Sequence, residues 1–246
     1  MKKTTNFDSG AYFQNVGRMK LTKTIFGLKA YLKELFRGIE FSEKNILDIG
    51  AGTGMYSCYM AMNGATKIVS LEPELEGSGN GYTAKFEDLK DNLGLNNVFL
   101  KSLTFQSFNN EEKKFDIILL HHSINHLDED ACINLKKSEE AREIYRKIFE
   151  KLYLISSSQA RIIIADCSSK NIFSMLKIKN PFAPSIEWHK HQPPNEWAKL
   201  LKKTGFRDFE VKWIVLNPLG GIANFFLGNK ICSFIINSHF IIYAKK

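Results

Sequence analysis

The sequence lacks the features that mark membrane-spanning and disulfide-stabilised proteins. No run of about 18 uninterrupted apolar residues occurs, so a membrane-spanning helix is not expected. Met1 is followed by two lysines and polar residues rather than by an apolar segment, which does not fit a secretory signal. The cysteines are few, widely separated and without a Cys-x-x-Cys pair, so we expect reduced thiols and a cytoplasmic protein. They are Cys58, Cys132, Cys167 and Cys232.

Acidic residues are scarce in the last third of the chain. Residues 161–246 hold 13 lysines and arginines but only 5 aspartates and glutamates, so this segment carries the whole net charge of +8. A basic surface there would attract an anionic small molecule, a nucleic acid or a membrane face. The alternative is that scattered lysines only keep the protein soluble.

Short apolar segments alternate with amphipathic segments along most of the 246 residues, without internal repeats. Uniformly apolar strands that alternate with helices predict a parallel sheet covered on both faces. The last two predicted strands have no evident crossover helix between them, which favours an antiparallel pair. We therefore predict a Rossmann-like α/β fold with a seven-stranded, mostly parallel sheet, helices on both faces and an antiparallel final strand. The predicted strands are Asn45–Ile49, Lys67–Leu71, Asn97–Leu100, Phe115–Leu120, Arg161–Ala165, Val211–Val215 and Ser238–Tyr243.

Helices are predicted where apolar residues recur at spacings of three and four. Residues 7–18 mix aromatic and small residues, and we expect an irregular arm there. A polar turn is expected at residues 157–159, between a long helix and the fifth strand. The predicted helical segments are residues 21–36, 56–63, 82–93, 130–156 and 195–204.

The most informative segment joins the first predicted strand to the next helix. It reads Ile46-Leu-Asp48-Ile-Gly50-Ala-Gly52-Thr-Gly54, with glycines at alternate positions. Glycine permits a positive φ and lets a ligand approach the backbone. The helix N-terminus behind the turn favours a carboxylate or a phosphate. Glu72 directly follows the second strand, where a carboxylate can accept hydrogen bonds from both hydroxyls of a ribose.

Two classes of enzyme bind nucleotides at such a turn. Dinucleotide-dependent enzymes use G-x-G-x-x-G, but Met55 stands where they require the third glycine. The pattern D-x-G-x-G-x-G from Asp48 instead resembles the first motif of class I S-adenosylmethionine-dependent methyltransferases. Residues 115–127 resemble the fourth motif of that family, and the resemblance extends in order and spacing over residues 45–166. It implies S-adenosylmethionine as cofactor and methyl transfer as the reaction.

The resemblance also implies roles for single residues on the cofactor side. Gly50, Ala51 and Gly52 are expected to line the methionine end of the cofactor, and Asp48 to hold its amino group directly or through water. Glu72 is expected to bind the ribose. Two further glutamates follow closely, so the position of Glu72, and not its charge, selects it.

Residues 1–40 are expected to form an N-terminal helical arm that closes over the cofactor as a lid. Just past the third strand, Ser102 and Leu103 would flank the adenine, although many relatives carry an acidic residue at the position of Ser102. His121, at the end of the fourth strand, would lie near the sulfonium. The candidate lid residues are Tyr12, Phe13 and Arg18.

Five of the six histidines lie in two sequence clusters. Methyl transfer to a hydroxyl needs a base, and imidazole suits that task because its ordinary pKa is about 6.5. We expect His121 and His122 at the end of the fourth strand, and His189 and His191 on one side of an extended segment. These four are the catalytic candidates. For His126 the alternative is a purely structural role. No metal site is expected. Trp188 is expected either to stack on the acceptor or to pack against other side chains.

The main domain is predicted to span residues 41–246, with acceptor-side insertions at 168–195 and 216–237. The first insertion resembles a segment of bacterial methyltransferases linked to surface polysaccharides. It points to a small polar acceptor, anionic or a sugar, with a hydroxyl of a surface-glycan precursor as the methylated group. The second insertion, which is apolar, would wall the acceptor pocket or touch a membrane, and the sequence carries no signal for an oligomeric state.

Other functions stay open. The acceptor is alternatively a quinone precursor or a secondary metabolite, and a further alternative is a catalytically silent cofactor-binding protein. RNA or protein methylation is disfavoured, because no appended nucleic-acid module or interleaving of aromatic and basic residues occurs. His121-His-Ser-Ile124 also stands where methyltransferases of base amino groups carry an Asn-Pro-Pro-Tyr-like tetrad.

Overall fold

The strands form one sheet in the residues that the structure, a computed structural model, describes: 9–74, 81–109, 114–215 and 229–246. Within these ranges the sheet has seven strands in the order β3-β2-β1-β4-β5-β7-β6. The strands are β1 (Asn45–Ile49), β2 (Lys67–Leu71), β3 (Val98–Lys101), β4 (Phe115–His121), β5 (Ser156–Cys167), β6 (Arg207–Trp213) and β7 (His239–Lys245).

The sheet has the predicted direction pattern. Strands β1 to β5 pair in parallel, and β7 pairs antiparallel with both β5 and β6. The prediction of a Rossmann-like, mostly parallel sheet with an antiparallel final strand is confirmed. Neighbours β1 and β4 mark the point where the strand order reverses, and ligands of open α/β sheets bind at such a point, outside the carboxyl ends of the strands.

Helices cover both faces of this sheet. One buried cluster includes residues of α5, α6 and α8, and the other includes residues of α1, α2, α3 and α4. No described helix is both long enough and apolar enough to cross a membrane. The helices are α1 (Ser9–Arg18), α2 (Ile25–Leu35), α3 (Met55–Met62), α4 (Tyr82–Asn92), α5 (Glu129–Asn134), α6 (Glu139–Ile155), α7 (Ile172–Met175), α8 (Pro194–Lys203) and α9 (Lys230–Ile235).

The N-terminal segment is more regular than predicted. Residues 9–18, expected to be irregular, form α1, so this prediction is wrong. Tyr12 and Val16 lie four residues apart and are fully buried, because α1 packs on α3. Tertiary packing of these two side chains compensates for the poor helix propensity of the glycines.

The long helix predicted for residues 130–156 is interrupted. It consists of α5 and α6, because two N-caps start two separate helices. The Asp128 carboxylate accepts from the Ala131 amide at 2.9 Å, and the Ser138 hydroxyl accepts from the Ala141 amide at 3.2 Å. Side-chain caps of this kind satisfy the free amides of a helix start.

The predicted polar turn at residues 157–159 is also wrong, since this stretch lies in β5. Pairing of β4 with β5 shifts register between Phe115 and Ile117, so the extra residues form an irregularity in the ladder. The Ser157 hydroxyl donates to Asp116 Oδ1 at 3.0 Å, which gives the polar stretch a partner within the sheet. Of the predicted insertion 216–237, residues 216–228 lie outside the described residues.

Candidate functional site

The turn after β1 is held by backbone hydrogen bonds to the neighbouring strand. The amides of Gly50 and Ala51 both donate to the Leu71 carbonyl, at 2.8 and 3.0 Å. Gly50 has φ +74°, and a Cβ there would lie 2.4 Å from Cβ of Ser123. The Ser123 hydroxyl donates to the Ile49 carbonyl at 2.5 Å. Glycine is therefore required at position 50, because the chain after β4 packs directly against the turn.

Glu72 reaches the same turn from the end of β2. Its Oε2 accepts from the Gly52 amide at 2.7 Å, and its Oε1 accepts from the Glu74 amide at 3.2 Å. Among the described residues, a Cβ added at Gly52 would meet only the Tyr82 ring, at 4.0 Å, so they leave the space in front of Gly52 open. The turn thus presents bare backbone beside a carboxylate that keeps spare lone pairs.

Asp48 lies beneath the turn and is fully buried. The Ser57 hydroxyl donates to its Oδ2 at 2.6 Å, whereas Oδ1 has no hydrogen-bond partner among the described residues. Burial raises the pKa of Asp48 to about 7; the Ser57 hydrogen bond opposes this and the charge of Glu72 adds to it. The site therefore holds a buried carboxylate oxygen without a hydrogen-bond partner in the part of the chain that the structure describes.

The other predicted cofactor residues lie at the same edge of the sheet. Ser102 and Leu103 follow β3 directly and are exposed.

Glu74 differs from Glu72 in its hydrogen bonds: it accepts from the Gly81 amide at 2.7 Å and from the Thr83 hydroxyl at 2.5 Å. The Thr83 hydrogen bond is the main reason why the pKa of Glu74 is lowered. Glu74 is thus bound to the start of α4, which distinguishes it from Glu72.

His121 ends β4 beside the turn and contacts two tyrosines. The Tyr31 hydroxyl lies 2.8 Å from Nε2 of His121 and 3.1 Å from Nε2 of His239. The Tyr56 ring centroid is 4.1 Å from that of His121. Burial and the neighbouring imidazoles of His122 and His239 lower the pKa of His121 well below its ordinary value, so its ring is neutral at pH 7.

His191 and His122 converge on one buried carboxylate, Asp166. Nδ1 of His191 lies 3.1 and 3.3 Å from the two oxygens of Asp166, and Nδ1 of His122 lies 3.7 Å from Oδ1. Burial raises the pKa of Asp166, but the imidazoles of His122 and His191 outweigh burial and lower it below the ordinary range. One member of each predicted histidine cluster, His122 and His191, therefore meets the other at Asp166.

Four residues of this cluster were missed by sequence reasoning. Asp166 and Cys167 end β5, His239 begins β7, and Tyr31 lies on α2. Cys167 Sγ lies 3.8 Å from Nδ1 of His239. A carboxylate at the carboxyl end of the fifth strand was a readable signal for Asp166. No local signal marks the others, because their contacts depend on strand order.

Two predicted residues of the first insertion lie apart from the cluster. The segment Trp188–Lys190 is a short 3-10 helix, so the expected extended segment with both histidines on one side is wrong. His189 is exposed and makes no hydrogen bond or ion pair with the described residues. Trp188 is partly exposed. His126 is exposed and its Nδ1 lies 3.3 Å from Glu129 Oε2.

The candidate lid residues are distributed over α1. Tyr12 is buried and its hydroxyl donates to the Met55 carbonyl, at 2.9 Å, at the start of α3. Phe13 is partly buried, with the Lys29 ammonium 4.6 Å from its ring centroid. Arg18 is exposed and donates to Asn15 within the helix. A lid role for these residues stays a prediction.

Comparison with known families decides the class of this protein. A family model described as a methyltransferase domain matches residues 24–211, which is most of the chain and includes the turn, Glu72 and both histidine clusters. The chain belongs to this methyltransferase family. Its cofactor is S-adenosylmethionine, as the resemblance of the glycine turn implied.

Part of the chain is similar to a curated methyltransferase sequence. The methyltransferase is 34% identical over 96 residues to the "Putative protein N5-glutamine methyltransferase" of Methanocaldococcus jannaschii. That match covers 39% of this chain and 45% of the relative, so it spans less than half of either protein.

The fold is shared with solved methyltransferase structures at low sequence identity. A S-adenosylmethionine-dependent methyltransferase from Mesorhizobium loti matches with a TM-score of 0.60 and 11% identity, covering 89% of this chain and 98% of that one. The plantazolicin methyltransferase, solved in complex with S-adenosylhomocysteine (SAH), matches with a TM-score of 0.52 and 15% identity, covering 98% and 87%. At these identities the likeness concerns the fold.

Proposed function

We propose that this protein methylates a hydroxyl of a small polar acceptor, with a sugar or a surface-glycan precursor as the acceptor class. The observation that carries the proposal is the His191–Asp166 pair at the carboxyl edge of the sheet. A histidine whose Nδ1 is held by a buried carboxylate presents Nε2 for proton transfer, as in other base-and-orienter pairs. His191 is then the acceptor-side base, and Asp166 orients it.

The residues around the turn fit the cofactor. Oδ1 of Asp48, which has no partner among the described residues, suits the amino group of the methionine end. We assign Gly50, Ala51 and Gly52 to that end of the cofactor as well, because the backbone at Gly52 is open on its outer side. Glu72 has lone pairs left for the two ribose hydroxyls. When bound, S-adenosylmethionine supplies an electrophilic methyl carbon.

The other cofactor-side residues are assigned by their position. We assign exposed Ser102 and Leu103 to the adenine, because they directly follow β3. Because His121 is neutral and hydrogen-bonded to Tyr31, we assign it a positioning role near the sulfonium.

Cofactor affinity should rise with pH if Asp48 holds the amino group. Because the pKa of Asp48 is raised to about 7, the folded protein keeps a proton that the unfolded chain loses at about pH 4. The free energy of unfolding therefore falls as pH rises from about 4 to about 7, where the folded protein must ionise the buried Asp48. A bound ammonium group offsets this loss by pairing with the carboxylate. We expect SAH to bind about tenfold more tightly at pH 8 than at pH 6, measured by calorimetry. Asp48→Asn should bind more weakly with a flat profile; a flat wild-type profile contradicts this assignment.

We assign the acceptor to a basic groove whose lining includes chain neighbours of the Asp166–His191 pair. This groove is a cavity of about 930 Å³. Ser168 and Pro193 line it, and each lies two positions along the chain from a member of the Asp166–His191 pair. Phe209, Trp213 and Phe234 are among its apolar lining residues. Four lysines also line it: Lys170, Lys199, Lys202 and Lys230. An acceptor with a phosphate or carboxylate group beside its hydroxyl fits this combination of charges and apolar surface.

The proposal is tested by an acceptor screen with radiolabelled S-adenosylmethionine. Sugar phosphates and nucleotide-activated sugars should accept the methyl group on oxygen, and the matching neutral sugars should react more slowly. Increasing salt should raise the KM of the anionic acceptors, because the lysines act through charge. Transfer to none of the sugars, with cofactor binding intact, would overturn the acceptor class.

A glutamine amide is the second candidate acceptor, because the relative from Methanocaldococcus jannaschii is named for that reaction. The same screen should therefore include a glutamine-containing peptide. Methyl transfer to peptide nitrogen, with sugars inert, would replace the proposed acceptor class by this one.

A further inference from the structure

We infer that His122, Cys167 and His239 form a binding site for one divalent cation of the zinc type. Their ligand atoms all lie within 4.8 Å of one another, the one such group of His, Cys, Asp and Glu side chains that the described part of the chain contains. Cys167 Sγ and His239 Nδ1 are 3.8 Å apart. Bond lengths of about 2.0–2.1 Å to nitrogen and 2.3 Å to sulfur place tetrahedral donors about 3.3–3.6 Å apart. Small side-chain movements bring the three donors to that spacing.

Strand pairing brings the ligands together. Cys167 and His239 are direct partners in the antiparallel ladder of β5 and β7, so their side chains lie on the same face. His122 follows β4, and its amide donates to the Ala165 carbonyl at 2.8 Å, which fixes it beside the end of β5. The site therefore rests on the rigid central strands of the sheet and not on a flexible loop.

Groups outside the ligands orient both imidazoles. Nε2 of His239 lies 3.1 Å from the Tyr31 hydroxyl, which leaves Nδ1 for a metal. Nδ1 of His122 faces Asp166, which leaves Nε2 for a metal. Histidine ligands are commonly held through their second nitrogen by a carboxylate or another polar group. Here both histidines have such a partner.

The donor set selects the kind of cation. Two imidazoles and one thiolate suit Zn²⁺ better than Mg²⁺ or Ca²⁺, which prefer oxygen ligands. Three protein ligands leave a fourth position open, as in catalytic zinc sites. Cys167 and His239 are almost fully buried, whereas the side chain of His122 is 35% exposed, so the open position faces the solvent side. The inference stands independently of the proposed acceptor.

Cobalt titration of the full chain tests the site without an activity assay. After treatment with a chelator and dialysis, Co²⁺ should bind once per chain, with a thiolate-to-cobalt absorption band in the near ultraviolet. Cys167→Ser should abolish that band. His122→Gln, at the more exposed ligand, should weaken Co²⁺ and Zn²⁺ binding at least tenfold. Cys232→Ser is the matched control, because Cys232 lies on α9 and is only partly buried; its titration should equal that of the wild type.

SAH affinity, measured in parallel, reports whether each variant is folded. No stoichiometric Co²⁺ or Zn²⁺ binding by the wild type would overturn the inference. So would an unchanged thiolate band in Cys167→Ser, because the cation would then bind elsewhere. If Cys167→Ser loses SAH binding through misfolding, the His122→Gln titration decides alone, and unchanged affinity there overturns the site. Failure of the acceptor screen leaves these outcomes untouched, so the two proposals fail separately.

Discussion

Glu72→Gln is expected to weaken SAH binding about 100-fold, as measured by calorimetry. The carboxylate can accept charge-assisted hydrogen bonds from both ribose hydroxyls, and each such bond contributes about 1.5–3 kcal/mol. The amide of Gln offers one acceptor oxygen, and its NH2 group opposes a second hydroxyl donor. That oxygen can still accept from the Gly52 amide, so the turn should keep its shape.

The matched control is Glu87→Gln, which removes the same charge from α4. Glu87 pairs with Lys90 there, and among the described residues no hydrogen bond or ion pair joins it to the turn. Its SAH affinity should stay within about twofold of the wild type, as expected for an exposed charge of this kind. Equal affinities of the wild type and Glu72→Gln would show that the ribose is bound elsewhere.

His191→Gln is expected to lower kcat by about 100- to 10,000-fold with any acceptor that the screen identifies, because general base catalysis contributes that much. SAH affinity should not change, since His191 lies on the Asp166 side of the cluster and not at the glycine turn. Glutamine is similar in size and keeps a polar group near Asp166. The measurement is a steady-state assay with S-adenosylmethionine and the identified acceptor.

His189 supplies the control for this prediction within the same segment. It is exposed and without hydrogen-bond partners among the described residues, so His189→Gln should leave kcat unchanged. Wild-type kcat in His191→Gln would remove His191 from the role of base. An equal loss of kcat in both variants would assign the effect to the segment as a whole.

The glycine turn and the position of Glu72 beside it were readable from the sequence. Glycine at positions 50, 52 and 54 reflects a local backbone requirement, and all three have positive φ in the structure. Glu72 could be chosen because it directly follows an apolar strand. Glu74 could not be excluded by charge, and only its hydrogen bonds to Gly81 and Thr83 separate it from Glu72.

Helix boundaries and regular structure near the N-terminus were less readable. Residues 130–156 have a continuous apolar face, and the break comes from the Ser138 cap, which periodicity does not register. The helix at Ser9–Arg18 depends on burial of Tyr12 and Val16 against α3. Both errors have the same origin, because a local pattern does not contain the partner that stabilises or interrupts an element.

The sequence by itself determined the class of fold and the residues of the glycine turn, because strand patterns and glycine backbone preferences act over a few neighbouring residues. The cofactor followed from the resemblance of that turn to a known family. Only the tertiary structure decided that His122, Asp166, Cys167, His191 and His239 form one cluster. The reason is that β7 inserts antiparallel between β5 and β6, so the first residue of β7 meets the last residue of β5. Such a pairing joins residues that are distant in the chain, and no spacing within the sequence encodes it.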